Sequence, residues 1–184
     1  YTFFKKNWYT LLMKILITGA AGFIGFNLVN FLLNKSNHKI TGIDNLNDYY
    51  SVILKKKRLS VLKKSKKFNF LKIDINKKKN VESLFRTHKF DIVFNLAAQA
   101  GVRYSIDNPA AFVDNNISGF YNILDASIKF KVKKLLYASS SSVYGDSTNF
   151  PLKEDQKVAP KNIYGLSKKI NEEISQVMSL YNDI

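Results

Sequence analysis

The chain has 184 residues, 46% of them hydrophobic, with 29 Lys and Arg against 14 Asp and Glu, a formal net charge of +15. That length allows one domain with a real core, and the lack of cysteine excludes disulfides, thiolate catalysis and cysteine metal sites. The charge does not point to nucleic acid. Its densest run, Lys55 to Arg58 and Lys63 to Lys67, is interleaved with Leu54, Leu59, Val61 and Leu62, as in an amphipathic helix with a solvated outer face.

Residues 1–12 precede Met13 and read as an N-terminal extension, with no apolar core or cleavage site fit for a signal peptide. Ile15 to Leu33 carry no charge, but three glycines, Asn27 and Asn30 interrupt the run, so a membrane span is not expected. The expectation is a cytoplasmic protein with neither membrane nor nucleic acid as a partner. His38 and His88 lie apart on polar segments and read as surface residues, so no metal is expected.

Ile15 to Gly25 read as a buried strand, a glycine turn and the start of a helix. Gly19, Gly22 and Gly25 fall where strand becomes helix. The first allows a tight turn, the second a close approach of backbone to a pyrophosphate, the third close helix–strand packing. The helix N-terminus then offers free N–H groups to phosphates. Phe26 to Leu33 continue the helix, with Leu28, Phe31 and Leu32 as its apolar stripe. Lys39 to Ile43 form a second strand, closed by Asp44. Nineteen residues past Gly25, Asp44 is placed to accept bonds from an adenosine ribose and to repel the 2′-phosphate of NADP; the competing reading is a loop cap.

A helix is expected within Ser51 to Lys67, a third strand over Phe68 to Ile73, and a helix over Val81 to Arg86. Asp91 to Leu96 read as a fourth strand, apolar almost throughout, as a parallel strand buried on both faces should be. Ala97 and Ala98 then suit either a flat cofactor or simple tight packing. Pro109 to Phe130 read as one long helix, and Lys134 to Ala138 as a fifth strand ending in Ser139 to Ser142. Open α/β sheets place ligands at that end of a strand. A last helix carries Tyr164 and Lys168 and runs to the end of the chain. The alternation predicts an α/β fold, a Rossmann-like doubly wound parallel sheet.

Tyr164 and Lys168 are four residues apart and share a helix face. A neighbouring ammonium favours the phenolate form of a tyrosine, which can then act as a base. A serine hydroxyl at the end of the fifth strand can hold the substrate oxygen.

Together these residues resemble the extended short-chain dehydrogenase/reductase superfamily, in its NAD-dependent epimerase/dehydratase branch. Asp44-Asn45-Leu46-Asn47-Asp48-Tyr49-Tyr50, Leu96 to Ser105 and Tyr137 to Gly145 are similar to the UDP-glucuronate 4-epimerases. The resemblance implies that Gly19, Gly22, Phe23, Ile24 and Gly25 hold the pyrophosphate of NAD, Asp44 and Asn45 the ribose, and Asp74 and Ile75 the adenine. It implies that Leu96, Ala97, Ala98 and Asn115 line the cofactor cleft. Ser140, Tyr164 and Lys168 become the catalytic residues, the last two also touching the cofactor, and Gln99, Arg103, Ser140, Ser141 and Ser142 the substrate contacts. Tyr164 would take the C4 hydroxyl proton of a UDP-sugar, most simply UDP-glucuronate, and the C4 hydride would go to NAD and return to the other face.

Related dehydratases and decarboxylases carry an acid just before the Val-Tyr-Gly, where this chain has Ser141 and Ser142, which favours epimerisation. The alternatives are another nucleotide-sugar epimerase or dehydratase, acting on UDP-glucose or a UDP-N-acetylhexosamine, and a non-catalytic NAD-binding domain. Residues 13–184 correspond to the NAD-binding part of such proteins, so a substrate domain is expected to be missing and the 184-residue chain to be inactive alone. A homodimer through helices spanning Asn116 to Lys131 and Tyr164 to Tyr181 is also implied.

Overall fold

The computed structural model describes residues 12–182 and Ile184. All of the N-terminal extension except Leu12 lies outside the described residues. Five strands, β1 (Lys14–Thr18), β2 (Lys39–Asp44), β3 (Phe68–Lys72), β4 (Ile92–Asn95) and β5 (Lys134–Tyr137), form one parallel sheet in the order β3-β2-β1-β4-β5. Lys14 aligns with Lys39, and Ile15 with Ile92, so the strands begin in step and end together at Thr18, Ile43 and Asn95. The direction of winding reverses between β1 and β4, and a crevice opens there at the carboxyl ends.

Helices α1 (Phe23–Lys35) and α2 (Val52–Leu62) follow β1 and β2. With them goes an apolar cluster containing Ile15, Ile17, Val29, Ile40, Leu59 and Leu62. Helices α3 (Lys78–His88) and α6 (Gly119–Lys129) follow β3 and precede β5, around Leu16, Ile43, Val81, Leu84, Phe85, Val93 and Ile123. Alternate β1 residues therefore feed opposite cores, which is why the strand is apolar throughout. α7 (Ile163–Ser179) is capped by Asn162, whose Oδ1 accepts from the Gly165 N–H at 2.8 Å.

Several expectations are corrected. On α1, Leu28 and Leu32 pack against the core as expected and Gly25 and Val29 are fully inward, whereas Phe31 is 55% exposed. The stretch from Pro109 is not one regular helix. α4 (Tyr104–Asp107) and α5 (Pro109–Phe112) lead into a π-helical segment, Val113–Ser118, before α6. The helix expected up to Lys67 ends at Leu62. His38 is not a surface residue: it is 2% exposed, Met13 N–H points to its Nδ1 at 3.4 Å, and burial lowers its pKa. His88 is half-buried and stacks on Phe90, with centroids 5.6 Å apart. β5, at the sheet edge, has Leu136 41% exposed. Among the described residues, no helix is long and apolar enough to cross a membrane.

Candidate active site

The β1–α1 turn is built by close backbone contact. A Cβ on Gly25 would lie 2.2 Å from the Gly19 carbonyl oxygen, so only glycine lets the helix start this close to the turn. Thr18, fully buried, ties the turn to β4: its Oγ1 donates to Asn95 Oδ1 at 2.6 Å and accepts from the N–H groups of Leu96 and Ala97. Gly22 begins α1 with no side-chain cap and no acid in the first turn. The amides of that turn thus keep their donors for an anion, with the positive end of the helix dipole behind them. A Cβ at Gly22 would have only the Gly19 carbonyl oxygen and, at 4.0 Å, the Tyr50 hydroxyl near it.

A cleft of about 490 Å³ opens from this turn. It is lined by Gly19, Gly22, Phe23, Ile24, Gly25, Asp44, Asn45, Ile75, Leu96, Ala97, Ala98, Gln99 and Asn115, thirteen of the residues singled out in the sequence. Asp44, 9% exposed, joins the two sides of its first half. Its Oδ2 accepts from Ala21 N–H at 3.1 Å and its Oδ1 from Leu46 N–H at 2.8 Å. Each carboxylate oxygen retains a lone pair, so the loop-anchoring role and a ribose-binding role are compatible. Asp74 does not line the cleft itself; it accepts from Asn76 N–H and, at 3.4 Å, from Asn45 Nδ2, fixing the side chain next to Asp44. Asn76 in turn donates to Asn115 Oδ1 at 3.0 Å. Open amides, a carboxylate and apolar walls in one cleft fit a dinucleotide.

The catalytic candidates lie outside that cleft lining. Lys168 is 6% exposed on α7, and its Nζ donates to the Ala138 carbonyl at the end of β5, at 2.8 Å. Burial pushes its pKa down to about 8. Nζ stands 6.0 Å from the centroid of the Tyr164 ring. Ser140 begins the short 3-10 turn Ser141–Tyr144, and its Oγ accepts from Ser142 N–H at 3.2 Å. A Cβ on Gly165 would lie 2.5 Å from the Ser142 carbonyl oxygen, so the first turn of α7 packs directly on the serine turn. Ser139 donates a short hydrogen bond to Glu172, one turn beyond Lys168. Arg103 is exposed at the start of α4 and does not line the cleft.

Residues not assigned a role from the sequence join the two halves. Asn116, 1% exposed in the π-helical segment, accepts from Gln99 N–H at 2.7 Å and donates to the Gln99 carbonyl and to Ser167 Oγ, both at 3.0 Å. Ser167 donates to the Tyr164 carbonyl at 2.7 Å. One amide side chain thus links the cleft wall to the helix of Tyr164. A π-helical turn, common at functional sites, aims it there. Lys55 is buried, against the expectation of a solvated face; its Nζ donates to the Asn47 carbonyl and Oδ1 and sits 4.4 Å over the Tyr50 ring. Burial lowers its pKa, and Asp44 and Asp48 oppose that. Arg58 donates to the Ala21 carbonyl and the Tyr50 hydroxyl. The signal was present: Lys55, Leu59 and Leu62 share one helical stripe.

Comparison with known proteins agrees with this geometry. The family model described as GDP-mannose 4,6 dehydratase matches residues 16–181. The chain belongs to the NAD-dependent epimerase/dehydratase family. Among members of this family it is similar to protein CapI of Staphylococcus aureus, 46% identical over 92% of this chain and 51% of that protein. It is also similar to the UDP-glucuronate 4-epimerase of Thermodesulfobacterium geofontis, 46% identical over 87% of this chain and 49% of that one. Among solved structures, the UDP-glucuronic acid 4-epimerase of Bacillus cereus, in complex with UDP-glucuronic acid and NAD, superposes with a TM-score of 0.87. There the identity is 34%, over 94% of this chain and 54% of that chain. The chain therefore spans about half the length of the curated relatives it matches.

Proposed function

We propose that residues 13–184 are the NAD-binding part of a nucleotide-sugar 4-epimerase that converts UDP-glucuronate to UDP-galacturonate. What carries the reading is the pairing of two features. One is the cleft of open amides and carboxylate at Gly19 to Asp44; the other is the buried Lys168 beside Tyr164 on the helix that Asn116 ties to that cleft. Similarity to epimerases whose names specify UDP-glucuronate, one of them seen with that sugar nucleotide and NAD, supports the substrate class.

NAD, when bound, takes the C4 hydrogen with its electron pair and gives it back. The first-turn amides of α1 hold the pyrophosphate. Asp44 accepts from the adenosine ribose, with Asn45 beside it, and its charge disfavours an added 2′-phosphate. Ile75 would border the adenine, with Asp74 behind it holding Asn45, and Leu96, Ala97, Ala98 and Asn115 would form the wall toward the reacting end. Tyr164 removes the C4 hydroxyl proton as the carbon is oxidised, leaving a 4-keto sugar. It returns the proton after the sugar has turned over. Lys168 stabilises the phenolate by its charge, and Ser140 holds the sugar oxygen. Gln99, Arg103, Ser141 and Ser142 contact the substrate. Ser141 and Ser142 supply no acid to expel a C6 group, which supports epimerisation over 4,6-dehydration.

The reading extends to a homodimer through α6 and α7, on which Tyr121, Leu166 and Val177 are exposed. The test is to incubate the complete protein with UDP-glucuronate and NAD, with UDP-glucose and UDP-N-acetylglucosamine as competitors, and to separate the products. UDP-galacturonate as the favoured product is expected. Turnover of only the neutral sugars would move the assignment to another epimerase of the family, and no turnover of any would refute the epimerase reading.

A further inference from the structure

The proposed cycle leaves the protein holding a reduced cofactor and a keto sugar at the same moment, so loss of the cofactor midway would strand it. The cleft has a feature suited to preventing this. Tyr49 and Tyr50 follow each other in the loop after β2, yet they go opposite ways. Tyr50, 36% exposed and itself lining the cleft, stays on the α1–α2 side, its hydroxyl taking the Arg58 donor and its ring lying beneath Lys55. Tyr49 crosses to the loop after β4. Its ring centroid lies 4.9 Å from that of Tyr104, tilted by 46°. Its hydroxyl end rests on Gly101: a Cβ there would lie 2.6 Å from the Tyr49 oxygen, and Gly101 has a φ of +105° that favours glycine in any case. Tyr49 also lines the cleft.

The Tyr49 ring therefore reaches from the loop after β2 to the loop after β4. It is 44% exposed, so one face is turned to solvent and core packing does not account for its position. Behind it the aromatic contacts continue. Tyr104 lies 6.1 Å from fully buried Phe112, and Phe112 lies 6.1 Å from Tyr164, edge to face at 74°.

We propose that Tyr49 and Tyr104 form a clasp over the cofactor cleft, which retains NADH between removal and return of the C4 hydrogen and is braced on the packing that positions Tyr164. The clasp has to open whenever cofactor enters or leaves. Removing the Tyr49 ring therefore lowers the barrier in both directions. A simple contact with the cofactor would instead slow nothing but exit. The proposal rests on the NAD reading above.

The test uses the complete protein loaded with NADH and then mixed with excess NAD, the loss of bound NADH fluorescence giving the release rate; direct mixing gives the entry rate. Tyr49→Ala, at a half-exposed position the fold tolerates, should raise both rates roughly fivefold, the factor that opening an ordinary aromatic pair represents. Tyr49→Phe keeps the ring and should keep slow release. Tyr104→Leu should resemble Tyr49→Ala. Unchanged release in Tyr49→Ala, or faster release with unchanged entry, overturns the clasp and leaves the cofactor reading standing. Failure of the unaltered protein to bind NADH overturns both.

Discussion

The two halves of the site are built differently. Around Gly19 to Asp44 the polar groups close on one another: Asp44 joins the glycine turn to its own loop, Thr18 joins β1 to β4, and Asp74 holds Asn45. Around β5 and α7 the closure is incomplete within the described residues. Leu136 is 41% and Leu180 73% exposed, and Asn171 Oδ1 and Ser175 Oγ are buried there without a hydrogen-bond partner. The proposed cofactor site thus rests on a cross-linked cradle, while the residues proposed to handle the proton rest on one helix held by a few cross-links: Lys168 to Ala138, Gly165 on Ser142, and Asn116 to Ser167. The halves should therefore fail separately.

The largest separation is expected from Tyr164→Phe in the complete protein. Turnover should fall roughly 10³-fold, the ordinary contribution of a positioned base, while NAD affinity measured by calorimetry stays within about threefold, less than 0.7 kcal/mol. Equal losses in both would show that the two halves are not independent. Gly25→Ala should fail at the cofactor half, with turnover lost only because cofactor binding is. Its Cβ meets the Gly19 carbonyl oxygen at 2.2 Å, a backbone atom that cannot swing aside. The expected cost is roughly 3 kcal/mol of stability together with loss of cofactor binding, read by denaturant unfolding and calorimetry.

Asn116→Ala tests the link between the halves. It removes three hydrogen bonds to Gln99 and Ser167, each worth about 1 kcal/mol net. Turnover should drop more than NAD affinity, because the cradle keeps its other ties. A larger loss in affinity than in turnover would place Asn116 with the cofactor half.

The smallest effect on stability concerns Lys168. With its pKa lowered to about 8 by burial, the folded state binds fewer protons than the unfolded chain between about pH 8 and the lysine's ordinary 10.5. Stability therefore rises with pH across that window and is lowest below it. Lys168→Met should abolish turnover yet stabilise the cofactor-free protein at pH 7 by about 1 kcal/mol, after allowing for the Ala138 carbonyl left without its donor. The gain should vanish by pH 10.5 in thermal melts. Turnover of the unaltered protein should decline as pH rises through about 8, because the ammonium is lost.

The cradle was legible in the sequence because it is built largely from backbone. Glycine spacing and an acid after β2 fix where amides and a carboxylate must be, and continuous apolar runs mark β1 and β4 as buried strands. Tyr164 and Lys168 were legible from one helical interval. What was not legible depends on contacts between elements. Nothing local distinguishes Asn116 from Asn115, since a π-helical turn decides which one points into the core. Lys55 lies within a charged run and counted as solvated, although the Leu59 and Leu62 stripe carries it inward. His38 sits among polar neighbours but is buried by Met13 and the strand ends.

The central claim is that the C4 hydrogen is lifted and returned within one site. The most direct measurement is to give the complete protein UDP-glucuronate deuterated at C4, in ordinary water with unlabelled NAD, and to examine the product by NMR. The account predicts UDP-galacturonate with the deuterium still on C4 and no net change in NAD. Exchange of the label with solvent hydrogen, or appearance of product without inversion at C4, would contradict it.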